Sequence, residues 1–290
     1  MNTKLAAKIL LFQVLDELPE HLGIRIYHFL QSKFQQRSLE QKIKAAQGTY
    51  QQLQRLTDTV GISLKDKKIL EIGSGWLPIM PYFITYLGGA KKVETYDLYR
   101  HYNSVSIKKL NLLFVQQFGI EIQNTTGEFS LPPEVEYYPN KDLSGEILKN
   151  IDVIYSRFVL EHVSPDEIKK MHLRFKNSLD PGTLVIHFIS PSDHRAYVDK
   201  SLSLQDFLRF SKTEWKKKCT KFDYHNRLRL PEYLEIFKEL GYYLEHVEFE
   251  IPSKNSTSYE KFKAVSIHED FAGFTEEELM AGSINLVLKV

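Results

Sequence analysis

Apolar runs alternate with helical patterns between residues 65 and 190, and this order restricts the possible folds more than any other feature. Five runs predict strands, and helical spacing interrupts them at 79–87, 101–118 and 164–179. Strand patterns at 242–250 and 284–290 bring the predicted sheet to seven strands. Strands that alternate with helices indicate an α/β fold with a mostly parallel sheet and helices on both faces.

The sequence outside these runs predicts four regions. Residues 1–60 have helical periodicity and no strand-like alternation, which predicts an N-terminal helical cap. Residues 61–190 form the predicted core, and 191–235 are a polar, aromatic and basic insertion that we interpret as a lid before strand six. Residues 236–290 complete the predicted core sheet.

Composition excludes several classes of protein. The single cysteine excludes a disulfide framework and any metal site built from several cysteines. Because 38 basic residues balance 37 acidic ones, the chain as a whole has no nucleic-acid footprint, and we predict no nucleic-acid partner. No stretch approaches about 20 apolar residues, and the run at residues 9–12 is short for a signal peptide. We therefore expect no membrane span and a cytoplasmic location.

A glycine turn follows the first predicted strand directly, in the segment Glu71-Ile-Gly-Ser-Gly75. Small residues at such a turn let the backbone approach a ligand, and the next helix N-terminus favours anionic groups. Asp97 ends the next predicted strand, where a carboxylate accepts hydrogen bonds from both ribose hydroxyls of a nucleoside cofactor. Pro78 stands where a dinucleotide fold needs its third glycine, which disfavours NAD and FAD.

These segments resemble the class I S-adenosylmethionine-dependent methyltransferases, whose sheet is Rossmann-like. LEIGSG is similar to the first motif of that family, IDVIYSRFVLEHV to the fourth-strand motif and DPGTLVIHFIS to the fifth strand. Leu77 departs from the family pattern, which has a small residue at that position. The resemblance implies S-adenosyl-L-methionine as cofactor, with Asp97 on its ribose and Asp142 on its adenine amine. It also implies cofactor contacts or a cleft-lining position for Glu71, Gly73, Ser74, Gly75, Ser156 and Arg157.

Histidines are the candidate bases for removing a proton from the acceptor. The segment Ser190 to Arg195 leaves the carboxyl end of strand five, and ligands bind at that edge of open α/β sheets. His194 is the leading candidate base, with Asp193 as its neighbouring carboxylate and His162 as a second candidate. Phe158 stands where a carboxylate–histidine metal cluster needs a second acid, so we predict no metal.

The predicted lid contains a basic and aromatic segment. Residues 211–229 hold seven basic and two acidic side chains, in a chain whose net charge is +1. A solvated lid face with aromatic residues packed beneath accounts for the lysines. Polar donors also follow one another in this segment, and Arg227 has the geometry to bind a carboxylate or phosphate in bidentate fashion. The predicted substrate-binding residues are therefore Tyr224, His225, Asn226 and Arg227.

The leading hypothesis is a methyltransferase that acts on a small-molecule acceptor, such as a natural product, sugar or metabolite. O-methylation is favoured over N-methylation through His194 and Asp193 alone. Two alternatives stay open, an RNA or protein methyltransferase and a non-catalytic binding protein with the same fold. The basic lid is also compatible with an acidic carrier protein that presents the substrate.

Overall fold

A seven-stranded sheet forms the centre of the computed structural model, which describes residues 2–33 and 37–290. The spatial order of the strands is β3-β2-β1-β4-β5-β7-β6, in which β7 runs antiparallel to both of its neighbours and the other pairs are parallel. The strands are β1 Lys68–Ile72, β2 Lys92–Asp97, β3 Val135–Pro139, β4 Val153–Arg157, β5 Leu184–Ile189, β6 Tyr243–Glu250 and β7 Gly282–Lys289. The predicted α/β fold class with seven strands is confirmed.

Eleven α-helices lie among the described residues and surround this sheet. The first six are α1 Thr3–Asp16, α2 Glu20–Lys33, α3 Leu39–Thr59, α4 Ile79–Tyr82, α5 Ser104–Phe118 and α6 Pro165–Ser178. The other five are α7 Arg195–Val198, α8 Lys212–Lys218, α9 Leu230–Glu239, α10 Thr257–Lys263 and α11 Glu276–Met280. None of the helices in the described ranges has both the length and the hydropathy that a bilayer crossing needs.

Both faces of the central strands β1, β4 and β5 are buried, because successive side chains of a parallel strand pack against helices on opposite sides. Ile69 of β1 packs with α3, α4 and α5 in one cluster, and Leu70 packs with α6 and α9 in another. Local signals begin and end the helices. Ser164 caps α6 in a capping box with Glu167, and Pro165 occupies the first turn of this helix.

The predicted N-terminal cap divides into two parts. Helix α3 belongs to the main core, where Ile43, Tyr50 and Leu53 pack against the sheet, so it is a core helix. Of the N-terminal helices, α1 and α2 lie at the carboxyl edge of the sheet, and α2 meets the predicted lid at the Tyr27–Phe222 ring contact of 4.9 Å. Residues 1 and 34–36 of the predicted cap lie outside the described residues.

The predicted lid is packed against a segment that follows β6. Phe207 and Trp215 of the lid form a third apolar cluster with Phe262 of α10 and with Leu279 and Met280 of α11. The lid and the connection between β6 and β7 therefore form one packed unit at the carboxyl edge of the sheet.

Two leucine substitutions test the division of the N-terminal helices. Leu53 of α3 is 1% exposed and Leu10 of α1 is 62% exposed. We expect Leu53→Ala to lower the free energy of unfolding by about 2–5 kcal/mol, because it leaves a cavity in the main core. Leu10→Ala, the matched control, should change it by less than about 0.5 kcal/mol. Urea unfolding followed by circular dichroism measures both, and equal losses would contradict a core position for α3.

Candidate active site

A cavity of about 650 Å³ opens at the carboxyl edge of the sheet, between the ends of β1, β2 and β4 and the cover of helices and lid. This volume is typical of sites for small ligands, which hold about 300–1,000 Å³. The glycine turn after β1 lines one end, and the lid residues Phe222 and Tyr224 line the other. Ligands of open α/β sheets bind at this edge, because strand order reverses there between neighbouring crossovers.

The glycine turn has left-handed backbone angles, which glycine adopts at no steric cost. Gly73 has φ of +82° and Gly75 has φ of +58°. A Cβ atom on Gly73 would lie 2.6 Å from Cγ2 of Val159, so this position also excludes any side chain by contact. The amide groups of Gly73 and Ser74 donate to the carbonyl of Tyr96 at 2.8 and 3.3 Å, which fixes the turn to the end of β2. Both glycines line the cavity with bare backbone.

Asp97 ends β2 and lines the cavity beside this turn. Its carboxylate accepts from the Ser74 hydroxyl at 3.2 Å and from the Tyr99 amide at 3.0 Å. His101 Nε2 lies 3.3 Å from one of its oxygens. Ser74 therefore positions the carboxylate, and it does not itself line the cavity.

Asp142 and Arg157 line the cavity, and their contacts with a cofactor stay a prediction. Asp142 accepts from the Ser144 amide at 2.8 Å, and this turn shapes the loop after β3. The Arg157 guanidinium lies 4.3 Å from the Phe158 ring centre at the end of β4.

Glu71 and Ser156 lie inside the sheet and do not line the cavity, which corrects a direct role for either in the cleft. Their side chains find partners on neighbouring strands, because both strands are buried on both faces. Glu71 accepts from the Thr95 hydroxyl at 2.6 Å, and Ser156 Oγ lies 2.6 Å from His187 Nδ1. Burial raises the pKa of Glu71 to about 8.

Four aromatic residues line the cavity in addition to those predicted. Tyr27 and His28 come from α2, and Trp76 and His101 come from the loops after β1 and β2. The His28 ring lies 5.4 Å from Trp76 and 4.8 Å from His101, so α2 closes directly over the Asp97 region. The helical pattern of the sequence places Tyr27 and His28 in one predicted helix. The sequence around them does not show that this helix packs over the cavity.

Three histidines that are distant in the sequence meet at the lid end of the cavity. His162, His194 and His225 each offer one nitrogen, and these nitrogens all lie within 4.8 Å of one another. This is the one group of three or more metal-ligand side chains found in the parts of the chain that the structure describes. His162 lines the cavity, whereas the other two lie behind it. Desolvation lowers the pKa of His194 to about 4 and that of His225 to about 2.

Asp193 does not pair with His194, which corrects the predicted carboxylate–imidazole pair. Its buried carboxylate binds the Arg195 guanidinium, with the shortest contact at 2.6 Å, and accepts from the Arg195 amide at 2.9 Å. Arg195 also reaches Asp206 at 3.1 Å. A buried carboxylate takes the charged, bidentate partner, and here that partner is Arg195.

Asn226 and Arg227 bind backbone carbonyls, and both line a second cavity of about 810 Å³ beside the lid, together with Tyr224 and His225. The Asn226 amide donates to the carbonyls of Leu160 and Val163 at 2.7 and 2.9 Å. The buried Arg227 guanidinium donates to three backbone carbonyls of the lid, those of Phe207, Phe210 and Ser211. These bonds hold the lid in place, and a substrate role for either side chain stays a prediction. Neither residue lines the cavity that contains Asp97, whereas Tyr224 lines both cavities.

Comparison with known proteins gives distant structural similarity alone. No protein-family model matches the chain, and no curated protein matches it. Solved structures with similar folds include phosphoethanolamine N-methyltransferase 2 of Haemonchus contortus with S-adenosyl-L-methionine, at 17% identity and TM-score 0.46 over 83% of this chain. The chain spans about half, 52%, of the length of that protein.

Two other solved structures match over most of both chains. The magnesium protoporphyrin IX methyltransferase of Synechocystis with bound SAH is 13% identical, with TM-score 0.49 and coverage of 88% of each chain. An S-adenosylmethionine-dependent methyltransferase of Mesorhizobium loti is 15% identical, with TM-score 0.44, over 81% of this chain and 96% of that chain. All three scores are below 0.5, so the fold and site described above rest on this chain's own sheet order and cleft residues.

The buried Glu71 carboxyl makes stability depend on pH in a defined direction. Its pKa is about 8 in the folded protein against an ordinary value of 4.5, so the folded state keeps a proton that the unfolded state releases. We expect the wild type to lose stability relative to Glu71→Gln by about 1.4 kcal/mol per pH unit between about pH 5 and pH 8. Below the ordinary value of 4.5 this difference should be constant, since both states are then protonated.

Urea unfolding at four pH values measures this difference. The exposed Glu121→Gln is the control, and its pH curve should run parallel to that of the wild type. A Glu71→Gln curve that is also parallel would show that Glu71 is ionised in the folded protein.

Proposed function

We propose that the protein is an S-adenosylmethionine-dependent methyltransferase that acts on a small-molecule acceptor. The observation that carries this proposal is the Asp97 carboxylate beside the bare Gly73–Gly75 turn, inside a cavity that continues to the lid. The fold and motif resemblance support the same function.

The cofactor end of the cavity fits a nucleoside with a short, unbranched substituent. Asp97 offers carboxylate oxygens for the ribose hydroxyls, and Ser74, Tyr99 and His101 hold that carboxylate in place. Gly73 and Gly75 have positive φ angles and no side chains, so the backbone of the turn is open to a ligand. Asp142 lines the same half and is proposed for the adenine amine. The bound cofactor would supply an electrophilic methyl group on a sulfonium.

The acceptor end has aromatic walls and a nearby cationic group. Tyr27, Phe222 and Tyr224 line it, together with Lys170 and His162. Such walls support a small acceptor that is flat or apolar on one side and polar on the other. A natural product, a sugar or another metabolite would fit this description. Methylation at an oxygen atom of the acceptor remains a prediction.

Closure of the cavity supports catalysis by positioning and exclusion of water, since transfer from a sulfonium is an in-line displacement. Lys221 of the lid donates from Nζ to the carbonyl of Asp16 at 3.0 Å, and its amide donates to the Asp16 carboxylate at 3.2 Å. Phe222 packs on Phe12 and Tyr27. The end of α1, the start of α2 and the lid thus close one side of the cavity, which favours a small acceptor over RNA or a protein.

The acceptor would meet the histidine cluster at His162. Its Nδ1 hydrogen bonds to the Tyr224 carbonyl at 2.9 Å, and desolvation lowers its pKa, so the neutral ring has a lone pair on Nε2. His194 lies behind this ring, with ring centres 5.2 Å apart, so its role as a base requires His162 as an intermediary. O-methylation remains the proposed direction, because an alcohol must lose a proton and an imidazole wall suits that need.

Substitution of Asp97 tests the cofactor site. We expect Asp97→Asn to weaken binding of S-adenosylmethionine by about 10–100-fold, because a charged hydrogen-bond acceptor for the ribose is lost. Asp66→Asn, which is exposed before β1 at the opposite end of the sheet, should bind as the wild type does. Isothermal titration measures both after circular dichroism has confirmed the fold. Equal affinity of Asp97→Asn and the wild type, or absence of binding by the wild type, would contradict the proposal.

A further inference from the structure

The cluster of His162, His194 and His225 has the ligand types and spacing of a metal site. The nitrogens lie within 4.8 Å of one another, and the His225 ring centre is 4.1 Å from that of His194 and 4.5 Å from that of His162. Zn²⁺ binds imidazole nitrogens at about 2.0–2.1 Å, which sets tetrahedral ligands about 3.4 Å apart. A bound ion would therefore draw the three nitrogens closer together than they lie in this structure.

Two of the rings are already arranged as ligands. His162 uses Nδ1 on the Tyr224 carbonyl, and a backbone carbonyl on the second nitrogen is the usual partner of a metal-bound histidine. His225 is 4% exposed, and its Nε2 has no hydrogen-bond partner in the described part of the chain. A buried polar nitrogen without a partner costs free energy, and a bound cation would remove that cost.

The surroundings keep the three imidazoles neutral, as metal ligands must be. Desolvation lowers the pKa of each, to about 4 for His194 and to about 2 for His225. Two positively charged side chains near the cluster would repel a bound cation. Lys8 of α1 acts on His194 and His225, and Arg229 acts on His225. Asp193 and Asp223 partly offset Lys8.

We propose that His162, His194 and His225 together bind one divalent transition-metal ion of the Zn²⁺ type at the wall of the cavity. Imidazole ligands suit Zn²⁺ and its first-row neighbours, whereas Mg²⁺ and Ca²⁺ require oxygen ligands. Three protein ligands leave a fourth position, which is the arrangement of catalytic zinc sites. Because His162 lines the cavity, that position faces the acceptor and would hold an oxygen of the acceptor or a water.

The proposed site replaces the prediction that the chain binds no metal. That prediction concerned a carboxylate–histidine set around Phe158, and the present ligands come from three segments of the chain. His162 follows β4, His194 follows β5 and His225 lies in the lid. With an ion bound, His162 Nε2 would be a ligand and no longer a free base, so metal binding is an alternative to proton removal by His162. The test of the metal site does not depend on the proposed methyl transfer, because it measures the ion directly.

Cobalt titration of the full chain without a polyhistidine tag tests the site. We expect one Co²⁺ per chain, with the visible ligand-field bands of a four-coordinate ion, and displacement of Co²⁺ by Zn²⁺. His162→Ala and His194→Ala should each weaken Zn²⁺ binding by at least about 100-fold. His246→Ala on β6 is the matched control and should bind as the wild type does. Lys8→Gln should bind more tightly, because it removes a competing positive charge.

The fold of each variant is checked by thermal unfolding with a chelator present, so that loss of binding is separated from loss of structure. His162 and His194 are chosen first because they are less buried than His225. Absence of Co²⁺ and Zn²⁺ binding by the wild type would overturn the proposal. Binding that the double variant of His162 and His194 retains would overturn it as well, since the ion would then lie elsewhere.

Discussion

The parallel pairing of β1 with β2 is the interaction on which the candidate site depends. It brings the turn after β1 beside the end of β2, where the Tyr96 carbonyl accepts from the amides of Gly73 and Ser74. The same pairing places Ser74 within hydrogen-bond distance of Asp97. One backbone register thus fixes both the bare turn and the carboxylate, and the helices on the two faces of the sheet hold that register by burial.

Closure over this edge depends on contacts between distant parts of the chain. The lid reaches α1 through Lys221, and α2 reaches the cofactor half through His28. The lid in turn is held by Arg227, whose guanidinium ties together three of its carbonyls. Asn226 and Arg227 therefore hold the lid together while they line a second cavity, and Tyr224 lines the cavity that contains Asp97.

The sheet and the cofactor end could be predicted from the sequence because their signals are local. A buried strand followed by glycines, and a strand that ends in Asp97, are each contained in a few consecutive residues. The acceptor end could not be predicted in the same way. Arg195 and His194 are both neighbours of Asp193 in the sequence. In the structure Asp193 pairs with Arg195, whose guanidinium also contacts Asp206. The three clustered histidines are separated by more than thirty residues each, so their proximity is a property of the tertiary fold.

Hydrogen–deuterium exchange with and without S-adenosylhomocysteine tests the central claim most directly, namely that this cleft holds a nucleoside cofactor beneath α2 and the lid. The account predicts protection of the turn at 73–78, of the loop at 97–101 and of the loop at 141–145. It also predicts slower exchange in α2 around Tyr27 and His28, which line the same cavity. Protection confined to other segments, or no change at a saturating ligand concentration, would contradict it.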